Sequence, residues 1–282
     1  MSLPTQEIDP TRAVISPEAL ERRISDLLDI FFKKRIDSLQ NLKLEQKLKV
    51  ENPYLFRAIG VSDASGIIEE LLDAHISSSD ETIFGNEFFE PLAKWVAAQS
   101  FRDRIDVTVQ VSGAEGCDIL VSMANETQAI AVKSGTKVFN AQSRRKQIDE
   151  FMKIDRILKK DRKLFLPIVG YCYGRKEQRD AKDFTEMAGQ RLWEHLTGET
   201  DFYLRIIRLM KTKPLEHRPR FTDEYDKAKN RFVKEFLSKY SLQDGSIDWD
   251  QLAQIISEIK PPRQKPEMPA RKKSKRNTGT VS

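Results

Sequence analysis

Gly113–Lys133 reads GAEGCDILVSMANETQAIAVK, and the fold turns on this stretch. Cys117–Met123 and Gln128–Lys133 are apolar runs of strand length, and Ala124-Asn125-Glu126-Thr127 supplies turn-forming residues between them. The pattern predicts a β-hairpin. Side chains alternate faces along a strand, so Ala129, Ala131 and Lys133 share one face while Ile130 and Val132 take the other. Lys133 then projects from a face kept small, and Asp118 stands at the start of the partner strand. One carboxylate and one ammonium are placed side by side. Cys117 alternates away from Asp118 and reads as a small buried apolar residue.

Lys133 is followed by Ser134-Gly135-Thr136-Lys137-Val138-Phe139-Asn140 and then by the helix-like run Gln142–Lys163. From Lys133 to Lys163 there are eleven Lys/Arg against four Asp/Glu, so this segment is locally basic. An apolar stripe through Ile148, Phe151, Met152, Ile154, Ile157 and Leu158 is expected to pack on the sheet. The opposite face is then cationic. Because it directly follows the lysine strand, Arg144, Arg145 and Lys146, with Lys137 and Asn140, are candidates for contact with a phosphate backbone.

At 282 residues and 39% hydrophobic composition, the chain can bury a sizeable core. Its two cysteines, Cys117 and Cys172, have no CxxC or Cys/His spacing, which argues against a zinc site or a disulfide framework. His75, His195 and His217 are scattered and point to neither a His metal site nor a His-activated nucleophile. Tyr171, Tyr173, Trp193 and Phe202 read as core aromatics. The opening MSLPTQEIDPTRAVIS lacks a basic start followed by an apolar segment, and no apolar run approaches ~18 residues, so a cytoplasmic protein without a membrane partner is expected. The formal charge of +5 is unevenly placed: Lys260–Ser282 holds eight Lys/Arg and one Glu, so the remainder is slightly acidic. This Pro- and Lys/Arg-rich end is expected to be disordered and to add only non-specific attraction for phosphate.

Elsewhere the pattern is mostly helical. Ser16-Pro17-Glu18 is a helix start with Pro at the first position, and Leu20 to Phe32 carry helical periodicity up to the break at Asn52-Pro53. Gly66–Ala74 reads as a second helix, and Ser78-Ser79-Asp80-Glu81 as the cap of a third, with an apolar face through Phe84, Phe88, Leu92, Trp95 and Val96. Ile105, Val107, Val109 and Val111 alternate as a strand, and Leu164–Tyr173 is an apolar run ending at Gly174, expected to be a buried strand. After Asp183 the chain reads as helix. The expected organisation is an N-terminal helical segment over 1–60, a core over 61–180, helices packed on it over 181–260 and a basic tail over 261–282.

Helix, strand, hairpin, helix, strand is an α/β (α+β) order built on a mixed β-sheet flanked by helices. The GCDI and IAVKSG strings on it resemble the PD-(D/E)XK nuclease core. NPYLFRA at Asn52–Ala58, SSSDETIFGNEFFE at Ser77–Glu90, YCYGRK at Tyr171–Lys176, GQRLWEHLTGETDFY at Gly189–Tyr203 and DGSIDW at Asp244–Trp249 extend the likeness. Together they resemble the PmeII-type type II restriction endonucleases over about Ser16 to Ile259. The resemblance implies Mg²⁺-dependent hydrolysis of specific duplex DNA sites, a homodimer matching palindromic sites, and a cognate DNA methyltransferase encoded nearby.

In that likeness Asp118 is the central metal ligand, Lys133 orients or deprotonates the attacking water, and the Val132 carbonyl completes the metal shell. The general motif carries an acid two positions before the lysine, where this chain has Ala131. A helical carboxylate must then fill the space left beside Lys133. Glu90 is the first choice, Glu87, which shares its α-helical face at i−3, the second, and Glu81 or Glu70 the third. Without such a donor, the alternative is a catalytically silent DNA-binding protein of the same fold. A repair or recombination nuclease reading DNA structure is a further alternative.

Overall fold

The computed structural model describes residues 12–111, 116–137, 140–159, 163–176 and 183–257. The hairpin forms where the pattern places it. Strand β2 (Ile119–Ser122) runs antiparallel to β3 (Glu126–Gly135), with Leu120 opposite Ala129 and Val121 opposite Gln128. Strand β1 (Thr108–Gln110) pairs with the outer edge of β2. It is shorter than the alternation from Ile105 suggests. A hydrogen bond from Val107 N–H to the Arg104 carbonyl and the Arg104–Asp106 ion pair close a turn there, leaving Ile105 fully exposed.

Strand β4 (Leu164–Tyr173) lies parallel to β3, from Glu126 opposite Leu164 to Gly135 opposite Tyr173. A parallel neighbour needs a crossover, and helix α6 (Ala141–Leu158) supplies it. Strand β5 (Thr185–Ala188) adds parallel to β4, so the sheet order is β1-β2-β3-β4-β5. The pattern after Asp183 predicts helix here, and the structure has a strand instead. Thr-Glu-Met-Ala has little strand preference of its own, and its conformation comes from the ladder with Ile168–Tyr171.

One face of the sheet presents Ile119, Val121, Ile130, Val132, Ile168 and Cys172 to helices α1 (Pro17–Asn41), α5 (Glu90–Ser100), α7 (Gln190–Thr197) and α8 (Phe202–Leu209). The other presents Leu120, Ala129, Ala131, Val169 and Tyr171 to α6 through Phe151 and Ile154. Coverage on both faces explains why β3 is almost continuously apolar. Met152 and Ile157, expected in the α6 stripe, are instead 52% and 70% exposed. A 3.6-residue period centred on Phe151 selects Arg144, Gln147, Ile148, Ile154 and Leu158 and leaves those two on the flanks.

A second apolar cluster gathers helices α2 (Leu44–Leu48), α3 (Pro53–Ala58), α4 (Ala64–Phe84), α9 (Lys213–Lys239) and α10 (Trp249–Ser257). Helix α1 threads both clusters, with Leu20 to Phe32 toward the sheet and Leu39 in the second, so the N- and C-terminal helices share a core. Ser16 caps α1 by accepting from Ala19 N–H, with Pro17 at its start. Helix α4 runs without a break through Ser78–Glu81, where the sequence reading set a new cap. The Thr82 hydroxyl donates back to the Ser78 carbonyl, and Asp80 is held by Arg35 at 2.7 Å, so neither acts as a cap. Among the described residues no helix is long and apolar enough to cross a membrane. The expected tail over 261–282 lies outside the described residues.

His195 gives this core a pH dependence. Its Nε2 lies 2.8 Å from Gln128 Oε1, and burial followed by the nearby Arg12 charge pushes its pKa down to about 4. The unfolded chain takes a proton near pH 6.5 while the folded protein refuses it until about pH 4. Stability is therefore full above pH 6.5 and falls across that window, by on the order of 3 kcal/mol. Denaturant titrations at pH 7 and pH 4.5 should show this loss, and His195→Gln, which cannot charge, should flatten it. An unchanged pH profile in His195→Gln would assign the loss to other groups.

Candidate active site

At the end of β3, a cleft of about 330 Å³ is lined by Glu81, Thr82, Gly85, Asn86, Glu90, Asp118, Val132, Lys133 and Ser134. Its strand side follows from a break in the hairpin ladder. Asp118 N–H still donates to the Ile130 carbonyl at 2.9 Å. One step further, the Asp118 carboxylate itself accepts from Val132 N–H, at 2.7 Å from Oδ2. The side chain thus takes the place of a backbone acceptor, which pins the carboxylate beside β3.

The helix side depends on a π-helical turn, Gly85–Phe89, between α4 and α5. Pro91 has no N–H to offer the Glu87 carbonyl, so an unbroken α-helical ladder cannot continue there. The chain widens instead, and Glu90 N–H donates to the Gly85 carbonyl five residues back. Glu81 and Gly85 are one α-turn apart, and Gly85 and Glu90 one π-turn. The extra residue rotates Phe89 off the cleft and Glu90 onto it. Gly85 permits the close approach, since a Cβ on it would stand 3.1 Å from Ser134 Cβ. Phe88, fully buried, anchors the turn to the core.

Lys94, one turn beyond Glu90, spans the carboxylates: its Nζ is 2.5 Å from Glu90 Oε1 and 3.7 Å from Asp118 Oδ1. Burial raises the Asp118 pKa above its ordinary value; the Val132 N–H bond works against this, Glu90 with it, and the Lys94 and Lys133 charges against it. For Lys94, burial favours the neutral form, but Glu90 and Asp118 more than offset it and hold its pKa above the ordinary range. Sequence reasoning missed Lys94, although its i+4 spacing from Glu90 was visible.

The structure therefore brings Asp118, Glu90, Val132 and Lys133 together. Glu81 also lines the cleft, its carboxylate accepting from the Tyr173 hydroxyl. Glu87 does not line it, because the shared face expected for Glu87 and Glu90 assumed an α period that the π-turn breaks. Glu70 is exposed on α4 away from it. Ala131 is 1% exposed against the α6 side of the sheet, so Glu90 does not fill the space at Ala131 as expected; it arrives from the opposite layer. Tyr171, Trp193 and Phe202 are core residues as read, whereas Tyr173 is 44% exposed.

The basic face divides in two. Arg144 lies on the inner side of α6, its guanidinium 4.3 Å from the Phe184 ring centre and 3.5 Å from Glu186. Glu186 is buried and also accepts from the Tyr171 hydroxyl at 2.7 Å and from Lys176, and its pKa is lowered because these bonds outweigh burial. Arg145 and Lys146 are exposed, as is Lys137 after β3. Asn140 caps α6 by accepting from Ser143 N–H at 2.9 Å.

A larger hollow of about 690 Å³, walled by Phe89, Tyr173, Arg175, Trp193 and Tyr203, has no carboxylate among the described residues that line it. Size does not mark the chemistry here. Among the described residues no group of three or more His, Cys, Asp or Glu is placed to hold a metal ion. Mg²⁺ does not require one, since it keeps several waters and is commonly held by one or two carboxylates together with substrate phosphate. Asp118 and Glu90, both hard oxygen donors bordering one cleft, fit that requirement.

A mixed five-stranded sheet covered by helices on both faces, with an acid-lined cleft at the end of its central strand, is a restriction-endonuclease-like α/β fold. The family model for type II restriction endonuclease EcoO109I matches residues 18–218, and the chain belongs to that family. The match confirms the type II restriction endonuclease class and carries no PmeII-type specificity. A search of curated proteins found no match.

Proposed function

We propose that the protein is a Mg²⁺-dependent type II endonuclease that cuts specific duplex DNA sites in the cytoplasm. Membership of a site-specific DNA nuclease family supports the reaction class. The observation that carries the chemistry is the meeting of Glu90 with Asp118 beside Lys133 in one cleft. It answers the gap at Ala131, and it favours an active enzyme over a silent binder.

Phosphodiester hydrolysis needs a nucleophilic water, neutralisation of the charge that builds on the phosphate, and help for the departing 3′ oxygen. Bound Mg²⁺ supplies Lewis-acid charge for these needs. Asp118, Glu90 and the Val132 carbonyl would hold it. Asp118 is fixed by the Val132 N–H, so it keeps one orientation as substrate arrives. Lys133 lines the same cleft, and its ammonium would orient the attacking water and add positive charge in the transition state. Glu87 has no part in this arrangement.

Arg145, Lys146 and Lys137 form the exposed cationic surface for the DNA backbone. Palindromic sites favour a homodimer, and a companion methyltransferase gene would protect host DNA. The reading is tested by incubating the protein with large unmethylated DNA: discrete fragments with Mg²⁺ and none with chelator support it, and intact or randomly degraded DNA overturns it. Within this surface, replacing Arg145 and Lys146 by Ala should weaken binding to all sequences and lower the salt dependence by about one counterion per lost contact. Arg144→Ala should instead cost about 1 kcal/mol of stability, because it bares Phe184 and strips Glu186 of a cation. An unchanged salt slope in the double variant would remove this face from the interface.

A further inference from the structure

We propose that Lys94 is an internal counter-cation that competes with the metal for Glu90 and Asp118 and so sets the metal affinity of the site. The inference rests on the nuclease reading above, and it concerns a residue with no place in that mechanism. Lys94 Nζ stands 2.5 Å from Glu90 Oε1 and 3.7 Å from Asp118 Oδ1, with its side chain only 24% exposed. One oxygen of each acid therefore faces an ammonium. An ion–oxygen distance of about 2.1 Å leaves no room for an ammonium hydrogen-bonded to the same lone pairs. A divalent ion bound through these oxygens must turn Lys94 away.

Two consequences follow from Coulomb's law in a partly dry cleft. Without metal, the ammonium offsets the repulsion between two carboxylates held close by separate elements, α5 and the start of β2, and so ties the helix layer to the hairpin. With metal, the cost of breaking that pairing is subtracted from the binding free energy. The site then binds weakly until substrate phosphate adds its own oxygens, and a metal load is coupled to DNA. The helix spacing makes the exchange local: Lys94 and Glu90 are i+4 neighbours, so one rotamer change of Lys94 frees both acids.

The test uses the full chain and the metal alone. Mn²⁺ is titrated into wild type, Lys94→Met and Lys94→Arg, with free ion counted by electron paramagnetic resonance and thermal unfolding recorded with and without metal. Lys94→Met keeps the apolar stem and removes the charge. It should bind Mn²⁺ at least about tenfold more tightly, unfold at lower temperature without metal, and recover that loss when metal is added. Lys94→Arg, which keeps the charge, should stay near wild type; Lys94→Gln serves in place of the methionine variant if that does not fold. Mn²⁺ binding by wild type with equal or weaker binding by the neutral variants overturns the role of Lys94 alone. Failure of wild type, Lys94→Met and Lys94→Gln alike to bind Mn²⁺ overturns the metal site itself.

Discussion

Asp118→Asn is expected to fold like wild type, retain DNA binding and lose Mg²⁺-dependent cleavage by about 10³-fold or more. The asparagine oxygen can still accept from Val132 N–H, so the hairpin bond that holds the side chain at 2.7 Å survives. What is lost is the negative charge on an oxygen that would face the metal under the proposed function, and several kcal/mol of transition-state stabilisation with it. Lys133→Met should reduce cleavage on a similar scale for a different reason, since it leaves the carboxylates in place and removes the ammonium at the water. Fragment formation from plasmid or phage DNA checks both, with circular dichroism and a gel-shift assay as controls. Either folded variant cutting at the wild-type rate would remove that residue from the chemistry.

The placement of Asp118 and Lys133 beside one cleft is legible because a strand hairpin is a local object: alternation, turn residues and a single lysine on a small-residue face are all read within about twenty residues. The same holds for α1 with its Ser16-Pro17 start, for β4, and for the basic character of α6. The rest depends on periods and contacts that single-residue patterns do not carry. Glu87 was paired with Glu90 on an α period, but Pro91 converts the preceding turn to a π-turn and rephases the face. Arg144 was grouped with Arg145 and Lys146 by adjacency, although consecutive helical residues point about 100° apart and Arg144 turns inward to Phe184 and Glu186. Strand β5 was invisible because its conformation is imposed by β4. Lys94 was overlooked because no residue near it in sequence announces Asp118, which reaches it only through the fold.

Glu90→Gln is the sharper test of how the site was assembled. Removing this carboxylate leaves Asp118 and Glu81 as the acids lining the cleft, and a site in which Asp118 alone would hold Mg²⁺ is expected to cleave roughly 10²–10³-fold more slowly. The general motif suggests a repair, Ala131→Glu, which would restore an acid two residues before the lysine. The structure predicts that this repair fails. Ala131 is 1% exposed in the cluster with Phe151, Val169 and Tyr171, on the α6 side of the sheet, whereas Glu90 comes from α5 on the other side. A glutamate there overfills a packed layer, at about 1–3 kcal/mol, and buries a carboxylate without a built partner, at several kcal/mol more. Ala131→Glu should therefore lower the Tm by about 10 °C or more and leave Glu90→Gln as slow as before. Recovery of cleavage in the double variant at an unchanged Tm would mean that the α6 face opens to the metal site and that packing does not close off Ala131; wild-type cleavage by Glu90→Gln alone would remove Glu90 as the second acid. Under the proposed function the second acid would come from the helix instead of the strand, and the π-turn at Gly85–Phe89 is the local feature that brings Glu90 to the cleft.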